Sequence, residues 1–266
     1  MTAPAAARLG ILVIHNDPVP ETEIWRMAPD DVSVHTARFE CPRPADTEYV
    51  GSPAAALADT PDVVRGLDQL GRLGAHSIAL CFGSSSFFGG PAFDTEFIEA
   101  AGAHAHGVRV HTAATAITAA LQASGVRRPL LVMPPWFTEP TFRATEEYLG
   151  KLGIEETSLV QFQLGPEWDG IPRYNAFDEG AHWTIDPTDV HQQVAKAFHN
   201  APRPDSVLVP GSGFPSLGAV ASLEQELGVP VITSNQAVLW YGLQLAAPES
   251  APDATTAGSL FRRRFT

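Results

Sequence analysis

The chain has 266 residues, of which 44% are hydrophobic and 18% are charged, a balance typical of a compact soluble enzyme rather than a disordered chain. Its formal net charge of −13 argues against a nucleic-acid partner, because such proteins contact phosphates through Lys and Arg. The two cysteines, Cys41 and Cys81, exclude a disulfide framework, and no spacing resembles a zinc or iron–sulfur site.

Targeting signals are not evident in the sequence. The opening MTAPAAARLG lacks a basic segment joined to a long apolar one, so we expect no signal peptide. No apolar run reaches the ~20 residues that a membrane-spanning helix needs. We therefore expect a cytoplasmic protein with no membrane partner. The length suits one large or two small domains of ~100–150 residues.

The first half of the chain alternates predicted strands and helices. Apolar β-branched runs predict the strands, and apolar residues at helical spacing predict the helices. Cys41 to Thr60 is Pro-rich and is expected to be irregular. The predicted elements are strands at Leu9–Ile14, Val32–Phe39, Ser77–Cys81 and Val108–His111, a short helix or turn at Glu21–Met27, and helices at Pro61–Leu73, Phe93–Ala105 and Ala113–Ser124.

The second half repeats this alternation, with one unusual segment. Gly165 to Pro187 carries several aromatic residues among Gly, Pro and Asp, and a loop of this length is usually functional or packs on itself. The predicted elements are strands at Pro129–Met133, Ser158–Leu164, Ser206–Val209 and Val229–Ile232, and helices at Glu139–Leu152, Thr188–Phe198, Leu217–Leu227 and Ser234–Leu245. The basic end FRRRF is expected to be a surface tail.

This order predicts an α/β fold with two Rossmann-like lobes, parallel sheets related by a pseudo-two-fold axis, and the active-site cleft between them. We assign residues 1–115 and 234–266 to the N-terminal lobe, with a returning C-terminal helix. Residues 116–233 form the C-terminal lobe.

Two predicted loops, Gly83–Ser86 and Pro210–Gly213, each end a buried strand and open a helix. Free backbone N–H groups at a helix start, together with hydroxyl groups, bind anions. Ligands of open α/β sheets lie at the carboxyl ends of the strands. We therefore expect these two loops to face each other across the cleft.

Four stretches carry a resemblance that covers nearly the whole chain: RLGILVIHNDPVPETE, SIALCFGSSSFFGGPAF, GVRRPLLVMPPW and SVLVPGSGFPSLGAVASLEQELGVPVITSNQAVLWYGLQLA. Together they resemble the aspartate/glutamate racemase superfamily, in its maleate isomerase and arylmalonate decarboxylase branch. These families usually carry one or two catalytic cysteines, one per lobe. The resemblance places those positions on Phe82 and Gly211, so both thiols are replaced. A register shifted by one residue places Cys81 at the first position instead.

Other family positions also change. The family Asn of the first loop falls on Asp17, the hydroxyl pair that holds a carboxylate falls on Gly83 and Ser84, and the family tyrosine falls on Trp136 or Pro135. Ser234 and Asn235 are kept. The substrate-binding candidates that follow are Gly83, Ser84, Ser85, Phe82, Trp136, Gly211, Ser212, Ser234 and Asn235.

The catalytic candidates are Asp17, His15 and Cys81, and each has a simpler alternative. Asp17 is as readily a turn-forming residue as an acid or base, and His15 as readily a solvated turn histidine. Cys81 suits a buried apolar position better than a catalytic one. His104, His106 and His111 are expected at the surface rather than in a metal site.

Aromatic residues at loop positions predict a hydrophobic substrate pocket: Phe82, Phe87, Phe88, Trp136, Phe137 and Phe214. The resemblance implies a diverged, cofactor-independent lyase or isomerase of the decarboxylase, cis–trans isomerase or racemase type. Its expected substrate is a small, partly hydrophobic carboxylate or enolisable carbonyl, with no metal, and a homo-oligomer is left open.

Two alternatives stay open, a catalytically silent small-molecule-binding protein that keeps the cleft and a diverged hydratase or cyclase. A hydrogen-bonded Asp17–His15 pair facing the cleft favours an enzyme. A cleft plugged by Phe82 and Trp136 favours the silent protein.

Overall fold

Two four-stranded parallel sheets form the framework of the computed structural model, which describes residues 6–44, 47–154 and 158–265. The first sheet has the order β2-β1-β3-β4 and the second the order β6-β5-β7-β8. The strands are β1 (Ala7–Ile14), β2 (Val32–Phe39), β3 (Ser77–Leu80), β4 (Arg109–Thr112), β5 (Pro129–Met133), β6 (Ser158–Gln161), β7 (Ser206–Val209) and β8 (Val231–Thr233).

The helices connect successive parallel strands, as parallel pairing requires. They are α1 (Val19–Met27), α2 (Ala54–Ala58), α3 (Pro61–Arg72), α4 (Gly83–Gly89), α5 (Pro91–Gly102), α6 (Ala113–Ser124), α7 (Glu139–Lys151), α8 (Arg173–Asp178), α9 (Pro187–Asn200), α10 (Leu217–Leu227), α11 (Ser234–Ala246) and α12 (Ala254–Ala257). The identical strand order of the two sheets confirms the predicted α/β fold of two lobes.

Three hydrophobic cores follow from the alternation of side chains along the strands. Ala79 and Cys81 belong to a central core that also contains Leu131 and Leu208 of the second sheet. Ile78 and Leu80 belong to an outer core of the first lobe. A third core lies on the outer side of the second sheet. Because side chains alternate with period two, each sheet buries both faces of its central strands, and β1, β3, β5 and β7 are buried along almost their whole length.

The helix α11 packs on the first sheet although it follows the last strand of the second. A Cβ atom on Gly242 would lie 3.4 Å from the Leu9 side chain and 3.2 Å from Ser77 Oγ. Thr233 and Gln236 form a capping box that fixes where α11 begins. The predicted lobe boundaries stay a prediction, and within them residues 1–5 and Thr266 lie outside the described residues.

Several local predictions were wrong. The Gly83–Ser86 stretch is the first turn of α4 and not a loop before a later helix. Cys41 to Thr60 contains α2, and Gly165 to Pro187 contains α8 and two short 3₁₀ turns. The basic end is partly anchored, because Trp240 Nε1 donates to the Arg263 carbonyl at 3.1 Å. Across the described residues, no helix is long and apolar enough to cross a membrane.

Candidate active site

A pocket lies at the carboxyl ends of the central strands of both sheets. Ile14 closes β1, Cys81 follows β3, Trp136 follows β5 and Gly211 follows β7. This is where parallel sheets bind ligands. The space enclosed is about 50 Å³. The wall consists of Ile14, Asp17, Glu48, Tyr49, Cys81, Phe82, Gly83, Ser84, Trp136, Phe137, Thr141, Tyr174, Phe177, Gly211, Ser212 and Gly213.

Aromatic rings from both lobes narrow the pocket. Phe177 meets Tyr49 edge-on at 6.0 Å between ring centroids and Trp136 at 5.1 Å. Tyr49 also meets Phe82 at 6.4 Å. Such edge-to-face pairs are favoured geometries that fix ring positions. Three of the six aromatics expected to line a pocket do so, since Phe87 and Phe214 are buried in cores and Phe88 is partly exposed.

Asp17 is the carboxylate that the first sheet places in the wall. The turn after β1 is closed by the Asp17 N–H, which donates to the Ile14 carbonyl at 3.1 Å. Its Oδ1 accepts a hydrogen bond from the Val19 N–H at 3.0 Å. Its Oδ2 faces the second lobe, where a Cβ atom on Gly213 would approach it to 2.9 Å. Gly213 therefore leaves space for this carboxylate beside the pocket.

Burial raises the pKa of Asp17 from 3.8 to about 7, against the lowering effects of the Val19 N–H and the Arg38 charge. Removing a carboxylate from water disfavours its charged form. The Arg38 guanidinium is held by the carbonyls of Ile14, His15 and Asp17 and does not contact the carboxylate itself. A pKa close to neutrality lets one group both accept and donate a proton at physiological pH.

His15 lies outside the pocket wall. Its Nδ1 is 3.2 Å from Glu40 Oε2, its side chain is 39% exposed, and it lines a separate surface cavity. The hydrogen bonds of the described residues include none between Asp17 and His15. The pairing that favours an enzyme is therefore not formed, and His15 is in a solvated position.

Cys81 and Phe82 both line the pocket, because the chain leaves β3 at Leu80 and turns into α4. Cys81 lies on the central side and is 1% exposed. Burial, helped by the Asp17 charge, raises the pKa of its thiol far above its usual range. Phe82 lies on the outer side, 6.0 Å from the Phe39 ring centroid.

The predicted anion-binding residues separate into two groups. Gly83 and Ser84 line the pocket at the start of α4. Ser85 does not line it. Its Oγ is buried against Gly51, where a Cβ atom would have no room, and finds no hydrogen-bond partner among the described residues.

The second lobe contributes Gly211, Ser212 and Gly213. A Cβ atom on Gly211 would overlap the ring of Pro134, the residue that follows β5. Ser212 Oγ donates to the Cys81 carbonyl at 3.1 Å, which joins the two loops across the cleft. This loop therefore supplies backbone and one hydroxyl, with no space for a side chain at position 211.

Ser234 and Asn235 lie behind the wall, at the start of α11, and both are buried. Asn235 Nδ2 donates to the Ser212 carbonyl at 2.9 Å and to Glu23 Oε2 at 2.8 Å. Ser234 Oγ has no hydrogen-bond partner within the described part of the chain. Asn235 therefore supports the loop at Ser212, and neither Ser234 nor Asn235 lines the pocket.

Glu23 was not predicted, although it is the last glutamate of the quoted stretch RLGILVIHNDPVPETE. Its Oε1 accepts hydrogen bonds from the Ser216 and Leu217 N–H groups, each at 2.7 Å. Burial raises its pKa, while these donors and Asn235 lower it. This carboxylate ties α1 to the free N–H groups where α10 begins, so it positions the second loop.

Two irregular segments cover the pocket, and none of their residues that line it was named as a site residue from sequence. The segment before α2 supplies Glu48 and Tyr49, and the segment containing α8 supplies Tyr174 and Phe177. An ion pair between Arg43 and Asp178 joins the segments, and Tyr49 OH donates to Asp178 Oδ1 at 2.9 Å. The aromatic content of residues 165–187 is the sequence signal that pointed here.

The three histidines singled out from sequence do not form a site. His104 pairs with Asp59 and His106 with Asp68 at the surface. The expectation of a surface position was wrong for His111, which is 2% exposed and packs 4.8 Å from the Tyr241 ring. Within the described ranges, no cluster of three or more His, Cys, Asp or Glu residues could hold a metal ion.

Known proteins resemble this chain in sequence and in structure. The family model described as arylmalonate decarboxylase matches residues 59–261. The arylmalonate decarboxylase of Bordetella bronchiseptica is 30% identical over 178 residues, which are 67% of this chain and 68% of that protein.

Two solved structures share the fold over nearly their whole length. Unliganded arylmalonate decarboxylase has a TM-score of 0.76 at 24% identity, covering 98% of this chain and 99% of its own. The maleate isomerase Iso from Pseudomonas putida S16 has a TM-score of 0.76 at 20% identity, covering 96% and 98%. The arylmalonate decarboxylase family named by the sequence resemblance is therefore confirmed, and the maleate isomerase structure shares its fold.

Proposed function

Because this chain belongs to the arylmalonate decarboxylase family, we propose that it is a cofactor-independent lyase or isomerase acting on a small carboxylate substrate. The reaction moves a proton at the carbon next to a carboxylate or enolisable carbonyl. The position of Asp17 carries this proposal. It is a buried carboxylate in the pocket wall, with one oxygen fixed by Val19 and the other beside Gly213.

Asp17 is the proton-transfer group in this proposal, since a pKa of about 7 suits both directions of transfer. Ser84 and the first N–H groups of α4 hold the substrate carboxylate and stabilise the charge that develops beside it. Phe82 and Trp136 contact the apolar part of the substrate. Cys81, a buried thiol with a raised pKa, is neutral and can only donate a proton at neutral pH.

A second candidate is a silent binding protein, which the narrow pocket favours. The enclosed space is about 50 Å³, Phe82 and Trp136 lie in its wall, and Gly211 has no space for a thiol side chain. Pockets that bury drug-sized ligands enclose roughly 300–1,000 Å³. In this alternative the protein binds a small acid and leaves its carbon-bound hydrogens in place.

Hydrogen exchange in D₂O separates the two candidates. Small carboxylic acids are incubated with the protein, and proton NMR follows loss of the signal of the hydrogen next to the carboxylate. The enzyme proposal expects exchange in the wild type and a loss of about 10²–10⁴-fold in Asp17→Asn, the usual contribution of an acid–base group. The surface variant His15→Ala is the control and is expected to retain the wild-type rate.

Exchange that persists in Asp17→Asn would remove Asp17 from the mechanism. Acids that bind with no exchange, no release of CO₂ and no isomerisation would favour the silent protein. A cytoplasmic location stays a prediction.

A further inference from the structure

Asp94 is a buried carboxylate outside the set of described residues that line the pocket. It lies in the first turn of α5 and accepts hydrogen bonds from three hydroxyl groups. Its Oδ1 accepts from Ser86 Oγ at 2.7 Å and from Thr112 Oγ1 at 2.5 Å, and its Oδ2 accepts from Tyr148 OH at 2.7 Å. All four side chains are buried, so these bonds replace the water that the carboxylate loses on folding.

The Ser86 hydroxyl connects Asp94 to the pocket. Ser86 belongs to α4, and Gly83 and Ser84 of the same helix line the pocket. This helix has little local support, because no side chain caps its start, its first four residues have low helix propensity, and it is seven residues long. Packing and the bond to Asp94 therefore set its position. A shift of α4 would move the Ser84 hydroxyl with it.

Tyr148 connects the same carboxylate to the second lobe. It lies in α7, and its ring also packs against Phe87 of α4 at 5.6 Å between ring centroids. Burial and the Asp94 charge raise the pKa of its hydroxyl well above its usual range, so the hydroxyl is a donor at neutral pH. Asp94 thus holds α4 in register with a helix of the other lobe.

Glu23 makes the corresponding connection in the opposite direction. The shared strand order makes α7, which follows β5, the counterpart of α1, which follows β1. In the same way, α4 and α10 follow the corresponding strands β3 and β7. Glu23 of α1 holds the start of α10, and Tyr148 of α7 holds α4 through Asp94. Each lobe therefore uses one buried carboxylate bond to hold the helix that follows the pocket loop of the other.

We propose that Asp94 is a positioning residue, which orients Ser84 toward the substrate by holding α4 through Ser86. The inference rests on the proposed function, since Ser84 is the side chain that holds the substrate carboxylate there. Asp94 acts on the substrate only through α4. The bond from Tyr148 makes this orientation depend on the contact between the lobes.

Removal of the Ser86 hydroxyl tests this while the carboxylate stays in place. Asp94 itself is kept, because its removal would strand three buried hydroxyl groups. The matched control for Ser86→Ala is Ser222→Ala, a serine of α10 whose hydroxyl donates to the Ala219 carbonyl at 3.1 Å outside the pocket. Isothermal titration calorimetry, on proteins shown to be folded by circular dichroism, measures the dissociation constants of phenylacetate and phenethyl alcohol. The second probe has the same ring and lacks the carboxylate.

Ser86→Ala should weaken phenylacetate binding by about tenfold, the loss expected when one hydrogen bond to a charged group is misplaced. Binding of phenethyl alcohol should change by less than about twofold. In a Ser84→Ala background, adding Ser86→Ala should cause no further loss, since the hydroxyl that it positions is absent. Ser222→Ala should leave both dissociation constants at their wild-type values.

Tyr148→Phe tests the connection to the second lobe. It keeps the ring against Phe87 and removes only the hydroxyl. It should weaken phenylacetate binding by about threefold, a smaller loss because Ser86 stays bonded to Asp94. Combined with Ser86→Ala it should add nothing, since Asp94 then no longer reaches α4.

Each negative outcome has a separate meaning. If Ser86→Ala binds phenylacetate like wild type, or weakens both probes equally, Asp94 has only a structural role and the inference is wrong. If Ser86→Ala does not fold, Tyr148→Phe decides by the same two probes. Weaker phenylacetate binding in a protein that catalyses no exchange, CO₂ release or isomerisation would overturn the proposed function and keep the positioning role. If wild type does not bind phenylacetate, both fail.

Discussion

The loops that follow β3 and β7 occupy corresponding places in the two lobes, yet different residues fill them. After β3 the wall carries a thiol, an aromatic ring, a glycine and a serine at 81–84. After β7 it carries Gly211, Ser212 and Gly213. Ser212 Oγ joins the loops by its hydrogen bond to the Cys81 carbonyl. The cleft thus lies between two sheets of the same strand order, but the residues that the two sheets supply to its wall are chemically different.

The two positions that the resemblance predicts for the family thiols, Phe82 and Gly211, differ in their physical surroundings. At Phe82 a large ring packs into the outer core of the first lobe, so the position is filled. At Gly211 the ring of Pro134 leaves no space for a side chain, so the position is closed. The carboxylate whose pKa is about 7 lies instead after β1, at Asp17. It faces the second loop at Gly213, where the missing side chain leaves space for it.

The largest expected effect follows from replacing Asp17, and it is on the free energy of unfolding at and above neutral pH. The pKa of Asp17 rises from 3.8 to about 7 on folding, so the folded state holds a proton that the unfolded state has released. Stability is therefore full below about pH 4 and is lost as pH rises through about 7. Three pKa units correspond to about 4 kcal/mol. Asp17→Asn should remove this loss and be more stable than wild type by about that amount at pH 8.

Urea denaturation between pH 4 and 8 measures the difference. The two proteins should have similar unfolding free energies at pH 4 and diverge as pH rises. Asp169→Asn is the matched control, an exposed aspartate expected to change stability by less than about 0.5 kcal/mol at every pH. Parallel pH curves for wild type and Asp17→Asn would contradict the burial argument. The gain in stability should accompany the loss of hydrogen exchange, because functional residues are often held at a cost in stability.

A smaller effect is expected from placing a side chain in the closed position. Gly211→Ala should destabilise the protein by about 1–3 kcal/mol, because its Cβ atom must displace the Pro134 ring from a packed wall. Gly211→Cys should be at least as costly. Adding Pro134→Ala to Gly211→Cys should recover part of the loss, since it opens the space that the ring occupies.

Thermal denaturation of these variants is compared with Gly150→Ala. Gly150 lies in α7 with nothing near its missing Cβ, so alanine there should stabilise by about 0.5–1 kcal/mol. Gly211→Ala that is as stable as wild type would show that Pro134 yields easily. Lack of space would then not explain why position 211 has no side chain.

The framework of this fold was predictable because its signals are local. The strand Val32–Phe39 was placed with the observed bounds, and the repeated order of strands and helices gave the two lobes. The helix α4 was missed because Gly83-Ser84-Ser85-Ser86 has low helix propensity. Burial of this turn between the lobes overrides that propensity.

The site was only partly predictable because contacts distant in sequence build it. Asp17, Cys81, Phe82, Ser84 and Trp136 were placed near the pocket from their positions after strands. The Glu23–Ser216 hydrogen bond joins residues 193 apart, and the Arg43–Asp178 pair joins residues 135 apart. No local pattern reveals such pairs. The choice between Cys81 and Phe82 was also undecidable, since alternation ends with β3 and both line the wall.

The smallest expected effect concerns the remaining thiol of the first loop. Cys81→Ala should lower the rate of hydrogen exchange by less than about tenfold, because a neutral buried thiol is not the acid–base group proposed here. It should lower stability by about 1 kcal/mol through lost packing in the central core. Cys41→Ala is the matched control, since Cys41 is buried outside this pocket and burial raises the pKa of its thiol to about 11.

Alkylation with iodoacetamide, followed by mass spectrometry, gives an independent measure of the same thiol. Only thiolates react readily, so both cysteines should be modified slowly in the folded protein and quickly in urea. Rapid modification of Cys81 in the folded state would show that the cleft generates a thiolate. If Cys81→Ala stays folded and loses exchange by about 10²-fold or more, the first loop retains thiol chemistry. The two loops would then differ by one cysteine rather than by the loss of both.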